Sequence, residues 1–271
     1  MTVNQKLLLV GCGKMGGALL AGWLSHDIDN KDVAVVEPSH GNLLEKRFKV
    51  PVVNSLDKLN VEFTPNIIVF AVKPQAMDKI VPNYGHFVGP NTMFLSIAAG
   101  KPTDYFRHRL GDGAAVVRSM PNTPAAVGRG ITVAYRNGAV SDAQKLMATK
   151  LLEAVGEVGW VEDESLIDGV TAVSGSGPAY VFLMIECLAE AGIRLGLNPD
   201  LAEQLARTTV AGSGELARQS AETASVLRQN VTSPGGTTAA ALDVLMGKNG
   251  LQELMSQAVS AAERRSRELS G

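Results

Sequence analysis

The stretch Leu7–Leu24, LLLVGCGKMGGALLAGWL, decides the fold. Its opening residues are uniformly apolar, which suits a strand covered on both faces. Gly11, Gly13 and Gly16 follow as G-x-G-x-x-G, and a helical apolar pattern starts inside the motif. Each glycine has its own physical reason. Gly11 permits the tight strand-to-helix turn, Gly13 lets backbone approach a pyrophosphate, and Gly16 lets helix and strand pack closely. The helix N-terminus then turns free N–H groups and the positive end of its dipole toward phosphate. Glu37, closing the run DVAVVE, lies about 20 residues further on, the spacing expected for a ribose contact. In this setting the motif predicts dinucleotide binding rather than a bare turn.

Glu37 leaves the choice of nucleotide open. An acid at a strand end suits a ribose diol and repels a 2′-phosphate, which points to NADH. Ser39, His40 and Asn42 follow at once and offer donors to a phosphate, which points to NADPH. A solvated carboxylate is the plain structural alternative.

The same texture repeats outward from the motif. NIIVFAVK, TMFLSIAAG, AAVVRSM and GITVAY are short Val-, Ile- and Leu-rich runs bounded by Gly, Pro, Asn or Asp. Separated by helix-length gaps, they predict buried, mainly parallel strands of an α/β sheet. Ligands of such sheets bind beyond the carboxyl ends of the strands. That places Val72, Lys73 and Pro74 there, with Met120, Pro121, Asn122 and Thr123. Lys73 also reads as a surface lysine, and Pro121 and Pro124 as residues that shape a loop.

After about Gly159 strand-like runs give way to helical periodicity, so a domain boundary is expected near 155–165. A long buried helix is expected from Glu164 on, interrupted at Ser174–Pro178. Within AVSGSGPAY, close helix packing and ligand contact are equally good readings of the small residues. The segment AYVFLMIECLAEAGI is apolar nearly all round, which implies burial on every side, partly against a second copy of the chain. Asn198 before Pro199 reads as an N-cap with proline at the first helical position. The terminal ERRSRE mixes both signs of charge and reads as a solvated helix face. Between helices, VTSPGGTTAAALDVLM (Val231–Met246) carries a proline, two glycines and four hydroxyls, more than a cap and a turn require.

Bulk composition narrows the classes. The chain has 271 residues, enough for one large domain or two ordinary ones, and a formal net charge of −2. That charge gives no electrostatic case for nucleic acid or a membrane surface. Cys12 and Cys187 are far apart and form no CxxC pair, so no disulfide framework and no metal site are expected, and a reducing compartment fits. MTVNQKLLLVGCGKMGG lacks a signal-peptide pattern, and no stretch is expected to approach the length of a membrane span. A soluble cytoplasmic protein is the simplest expectation.

The residues available limit the chemistry. All four histidines (His26, His40, His86, His108) lie in the first half, and no lysine occurs between Lys150 and Lys248. Tyr180 sits in a stretch that reads as buried helix, so it is expected in the core. Reduction of a carbonyl builds an alkoxide that needs a proton donor, whereas reduction of a protonated imine gives a neutral amine. Ser233, Gly235, Gly236 and Thr238, before and within a helix expected to start near Thr237, suit a small carboxylate-bearing cyclic imine.

Taken together, GCGKMGGALL, FAVKPQ, RSMPNTPAAVGRG, AVSGSGPAYVF and NVTSPGGTTAAALDVL resemble the pyrroline-5-carboxylate reductases along essentially the whole chain. The last of these stretches is the most specific. The resemblance implies an N-terminal Rossmann-type α/β domain over 1–160 and an all-α substrate-binding and dimerisation domain over 161–271. It implies a homodimer, often assembled further, that reduces 1-pyrroline-5-carboxylate to L-proline with NADPH or NADH. Gly11, Gly13, Lys14, Met15 and Gly16 would then hold the pyrophosphate. Ala71, Val72, Lys73 and Pro74 would lie along the nicotinamide side with Met120, Pro121 and Asn122, and Asn54 would reach the adenine ribose. Ser233, Gly235, Gly236, Thr237 and Thr238 would bind the substrate carboxylate, with Thr238 also near the ring nitrogen. Two positions depart from the pattern. Ala224 stands where many members have proline, so that loop is expected to be more helical, and Glu37 is not the small polar residue of a strongly NADPH-selective member. A β-hydroxyacid dehydrogenase would want a catalytic lysine after the glycine-rich turn, and GSGPAYVFLMIECL has none. A non-catalytic dinucleotide sensor would need no second, hydroxyl-rich site.

Overall fold

Alternating apolar residues in the first strand fill two separate cores. In β1 (Leu7–Val10) every side chain is buried. Leu7 and Leu9 join a cluster with Leu19, Leu20 and Trp23, which lie on α1 (Lys14–Ser25). Leu8 and Val10 point the other way, into a cluster with Met77, Phe94 and Phe106. Burying each such side chain contributes roughly 1.5–3 kcal/mol, so both faces of the sheet need cover. The structure is a computed structural model that describes residues 5–26 and 28–270. Met1–Asn4, part of the stretch read for a leader, lie outside those residues.

The alternation continues through β2 (Val33–Val36), α2 (Gly41–Phe48), β3 (Val52–Val53), β4 (Ile67–Phe70), α3 (Met77–Ile80), β5 (Met93–Ser96), α4 (Thr103–Leu110) and β6 (Ala115–Met120). Then come β7 (Gly130–Arg136), α5 (Asp142–Glu153) and β8 (Gly156–Trp160). Strand order is β3-β2-β1-β4-β5-β6-β7-β8. Neighbours run parallel except β6 and β7, which pair antiparallel. All six runs read as strands are strands, and the sheet is mainly parallel as expected. The short β3 and the edge strand β8 had no uniform apolar run to announce them. Ser141 opens α5 with a capping box: its hydroxyl accepts from Gln144 N–H while the Gln144 side chain accepts from Ser141 N–H.

The helical part comprises α6 (Leu166–Val170), α7 (Gly177–Arg194), α8 (Pro199–Gln219), α9 (Ala224–Asn230), α10 (Thr237–Leu245) and α11 (Leu251–Ser270). Asn198 caps α8 as expected, its side chain accepting from Asp200 N–H, with Pro199 in the first turn. Ala224 is the first residue of α9, which Thr223 caps by accepting from Val226 N–H. α7 and α8 pack against each other where Gly192 leaves room for Leu197 and Ala202.

Several expectations are corrected in this part. The interruption at Ser174–Pro178 is narrower than expected, because a π-type turn (Thr171–Gly175) joins α6 to α7 with only Ser176 outside the helical pattern. Leu166–Arg194 is therefore one run long and apolar enough to cross a membrane, contrary to the expectation that no stretch approaches that length. Its burial also differs. No α7 residue is fully buried within the chain, Phe182 and Leu183 are more than half exposed, and Tyr180 is half-buried rather than a core residue. The all-round apolar pattern is real, but this one chain does not supply its cover.

Two compact units divide the chain: Met1–Gly175 with Glu263–Gly271, and Ser176–Ala262. The sheet-bearing unit thus runs past the 155–165 stretch and includes the end of α11. A buried polar network inside that unit ties those parts together. Arg118 on β6 is buried and pairs with Glu164 at 3.2 Å and Asp168 at 3.9 Å. Glu164 accepts from Thr103 N–H and Oγ1, both at 2.7 Å, at the start of α4. Ser266 of α11 donates to Asp168 at 2.6 Å. The rest of ERRSRE is solvated as expected, with Arg265–Glu268 and Arg267–Glu263 pairs along the helix.

Candidate active site

The glycine loop follows β1 and leads directly into α1. Gly11 has φ +86°, and a Cβ there would lie 2.6 Å from Val72 Cγ1 and 2.9 Å from Ala71 O. Gly16 packs against the loop's own backbone: a Cβ would lie 2.6 Å from Gly11 O and 3.1 Å from Ala71 Cβ. The structure therefore brings Ala71 and Val72 onto the glycine loop. Gly13 is different, since a Cβ there would meet nothing within 4 Å. No side chain caps α1. Open space over Gly13 at an uncapped helix start fits a dinucleotide pyrophosphate. Lys14 is exposed and Met15 half-buried beside it.

Glu37 is not a free strand-end carboxylate. Its Oε2 accepts from Cys12 N–H at 2.9 Å and its Oε1 from Ser39 N–H at 3.0 Å. Burial, with the Glu37 charge next in effect, pushes the Cys12 thiol up to about 11, while the Arg47 charge acts the other way. Beside Glu37 lies a cavity of about 540 Å³, lined also by Ser39, His40, Asn42, Asn54 and Lys58. Asn54 and Glu37 thus line the same cavity. Lys58 also lines the cavity, a placement that nothing local in the sequence marks.

Lys73 is exposed ahead of Pro74, which opens a short 3-10 turn after β4. At the end of β6, Pro121 and Asn122 are buried and Met120 is half-buried. Asn122 has a structural task, since its Oδ1 accepts from Ile131 N–H at 3.0 Å and holds the loop to β7. Met120 packs on Gly175, where a Cβ would lie 2.5 Å from its Cε. Close packing thus explains Gly175 in AVSGSGPAY.

The hydroxyl-rich segment belongs to the other unit. Gly235 has φ +68° with open space around it, and Gly236 is the N-cap of α10 with no side-chain cap. Among the described residues, the Ser233, Thr237 and Thr238 hydroxyls make no hydrogen bond within the chain, while Thr232 Oγ1 donates to Arg228 O. Among the described residues there is also no group of three or more His, Cys, Asp or Glu able to hold a metal.

A sheet covered on both faces, with this glycine loop, its acid and a helical partner unit, defines a dinucleotide-dependent oxidoreductase. Residues 164–269 match the family described as pyrroline-5-carboxylate reductase dimerisation, and residues 6–100 that described as NADP oxidoreductase coenzyme F420-dependent. The chain belongs to the pyrroline-5-carboxylate reductase family. It is 38% identical to the pyrroline-5-carboxylate reductase of Pseudomonas aeruginosa, covering 98% of this chain and 97% of that one. Identity to the Synechocystis enzyme of the same name is 39%, over 98% and 99%. Among solved structures, a pyrroline-5-carboxylate reductase from Coxiella burnetii superposes with a TM-score of 0.91 at 34% identity, covering 99% of both chains. A Plasmodium falciparum pyrroline carboxylate reductase with NADP bound gives a TM-score of 0.83 at 31% identity, again over 99% of both.

Proposed function

We propose that this chain reduces the C=N bond of 1-pyrroline-5-carboxylate to L-proline with NAD(P)H, the last step of proline biosynthesis. The observation that carries this reading is the segment Ser233–Thr238: an uncapped helix start with unbonded hydroxyls, in a chain that matches the family end to end. Residues 1–160 bind the dinucleotide, and residues 161–271 bind the substrate and a second copy of the chain. Gly11, Gly13, Lys14, Met15 and Gly16 hold the pyrophosphate, with Glu37, Ser39 and Asn54 at the adenine ribose. Ala71, Val72, Lys73, Pro74, Met120, Pro121 and Asn122 line the nicotinamide side.

When bound, NAD(P)H supplies the hydride. Backbone N–H groups at Gly235 and Thr237, with the Ser233 and Thr238 hydroxyls, hold the substrate carboxylate at the positive end of α10, while Gly236 shapes the cradle by donating its own N–H to Ser233 O. Thr238 also orients the ring nitrogen. Hydride adds to the imine carbon of the protonated ring, and the C=N electron pair returns to nitrogen as a lone pair. The cation of the substrate disappears in the step, so no strong acid of the enzyme is required. This accounts for a second half with no histidine.

The exposed apolar side chains of α7 and the dimerisation-family match support a homodimer built through the C-terminal helices, covered by protein rather than lipid. The enzyme works in the cytoplasm. Initial rates of NADPH and NADH oxidation, measured separately with 1-pyrroline-5-carboxylate, test the assignment. Turnover is expected. Absence of turnover with either nucleotide, in protein that binds one of them, would overturn the substrate assignment and leave the glycine loop standing.

A further inference from the structure

We propose that Glu37 rejects the 2′-phosphate and makes this chain select NADH over NADPH. The proposal rests on the dinucleotide reading above and concerns the adenosine end of that site.

The first argument is position. One tether of the Glu37 carboxylate is the Cys12 N–H of the glycine loop, and the other is the Ser39 N–H beyond β2. Held from both sides, the side chain cannot swing away from an incoming group without giving up two charge-assisted hydrogen bonds. The second argument is valence. Each carboxylate oxygen has capacity left after accepting one N–H. A ribose hydroxyl can donate to it. A phosphate dianion brings acceptors and more negative charge, so it is repelled at the same spot.

The third argument is the lack of compensation. Among the described residues, Lys58 is the only lysine or arginine lining the cavity. Its side chain is 68% exposed and lies 3.8 Å from Asp57, so it is solvated and partly neutralised. The cavity has no arginine fork, the group best shaped for phosphate. Arg47, whose charge acts on Cys12, lies over the Phe48 ring at 4.7 Å and is not part of the lining. Ser39, His40 and Asn42 can hydrogen-bond a phosphate, but they do not cancel the Glu37 charge.

The test is equilibrium titration of the full chain with NADH and with NADPH, followed by nucleotide fluorescence, for wild type, Glu37→Gln and Lys58→Met. Wild type is expected to bind NADH at least about tenfold more tightly than NADPH. Glu37→Gln should shrink that ratio by about tenfold, mainly through gained NADPH affinity. Lys58→Met should change NADPH binding by less than about threefold, as a solvated cation does. A loosened glycine loop in Glu37→Gln would weaken both nucleotides alike, so the ratio isolates the 2′-group. Equal or tighter binding of NADPH by wild type, or an unchanged ratio in Glu37→Gln, would overturn the proposal. Binding of neither nucleotide would remove the dinucleotide reading and this proposal with it. The expected ratios without imine reduction would support selectivity and refute only the reaction.

Discussion

Alanine at Gly16 and alanine at Gly13 should fail in different ways, although the positions are three residues apart. At Gly16 the new methyl would lie 2.6 Å from Gly11 O and 3.1 Å from Ala71 Cβ, short of ordinary contact by about 0.8 Å at the carbonyl. Neither obstacle is the end of a flexible side chain, so no rotamer change relieves it. Helix α1 would have to retreat from β1 and β4, which carry buried residues of both cores. Overpacking of this kind costs roughly 1–3 kcal/mol, or about 2–12 °C of Tm in a chain of this size. At Gly13 a methyl meets nothing within 4 Å and φ is −72°, so the fold has no reason to object. Its Tm should stay level or rise slightly. The same methyl would occupy the space through which a pyrophosphate approaches the backbone. Nucleotide affinity should drop at least about tenfold, or roughly 1.4 kcal/mol. Thermal melts and nucleotide fluorescence titrations of both variants separate the two effects. A Gly13→Ala protein that binds nucleotide as wild type does would refute the placement of the pyrophosphate. A Gly16→Ala protein with unchanged Tm would refute the packing argument.

Three further outcomes follow from other parts of the molecule. Thr238→Ala should raise the KM for the imine or lower kcat while Tm holds, and wild-type kinetics would remove Thr238 from the site. Ser266→Ala strips a donor from the buried Asp168 carboxylate and should cost about 1–3 kcal/mol by denaturant unfolding; a change within error would mean that solvent or Arg118 replaces the bond. The Cys12 thiol is raised from 9.0 to about 11 in the folded chain, which favours its protonated form. That stabilisation is complete below pH 9 and disappears as pH climbs through about 11. Tm should therefore fall less steeply over this window in Cys12→Ser than in wild type, and parallel slopes would count against the burial argument.

Much of the sheet was legible because fully covered strands carry a local signature. LLLV, VAVV and IIVF are apolar at every position, since each successive side chain enters one core or the other. Strand β8, GEVGW at the sheet edge, needs no such run and has none. Helix starts were legible where one residue carries the cap, as at Asn198. The break in the long apolar helix was overestimated because small residues are compatible with both a turn and close packing. Gly175 serves the packing, against Met120, and the helix continues through a π turn.

By itself, the sequence determined the six strands read from apolar runs, the glycine loop and the hydroxyl-rich segment before α10. These depend on neighbours within a few residues, whose periodicity and backbone freedom are written in residue types. Tertiary structure alone decided which groups meet across the chain. Nothing near Glu37 in sequence announces that one of its oxygens is taken by Cys12, 25 residues away. Nothing near Ser266 announces Asp168, 98 residues away. Such partners are chosen by how the elements pack once water is excluded, and a hydrogen bond between distant residues leaves no period in the sequence to read.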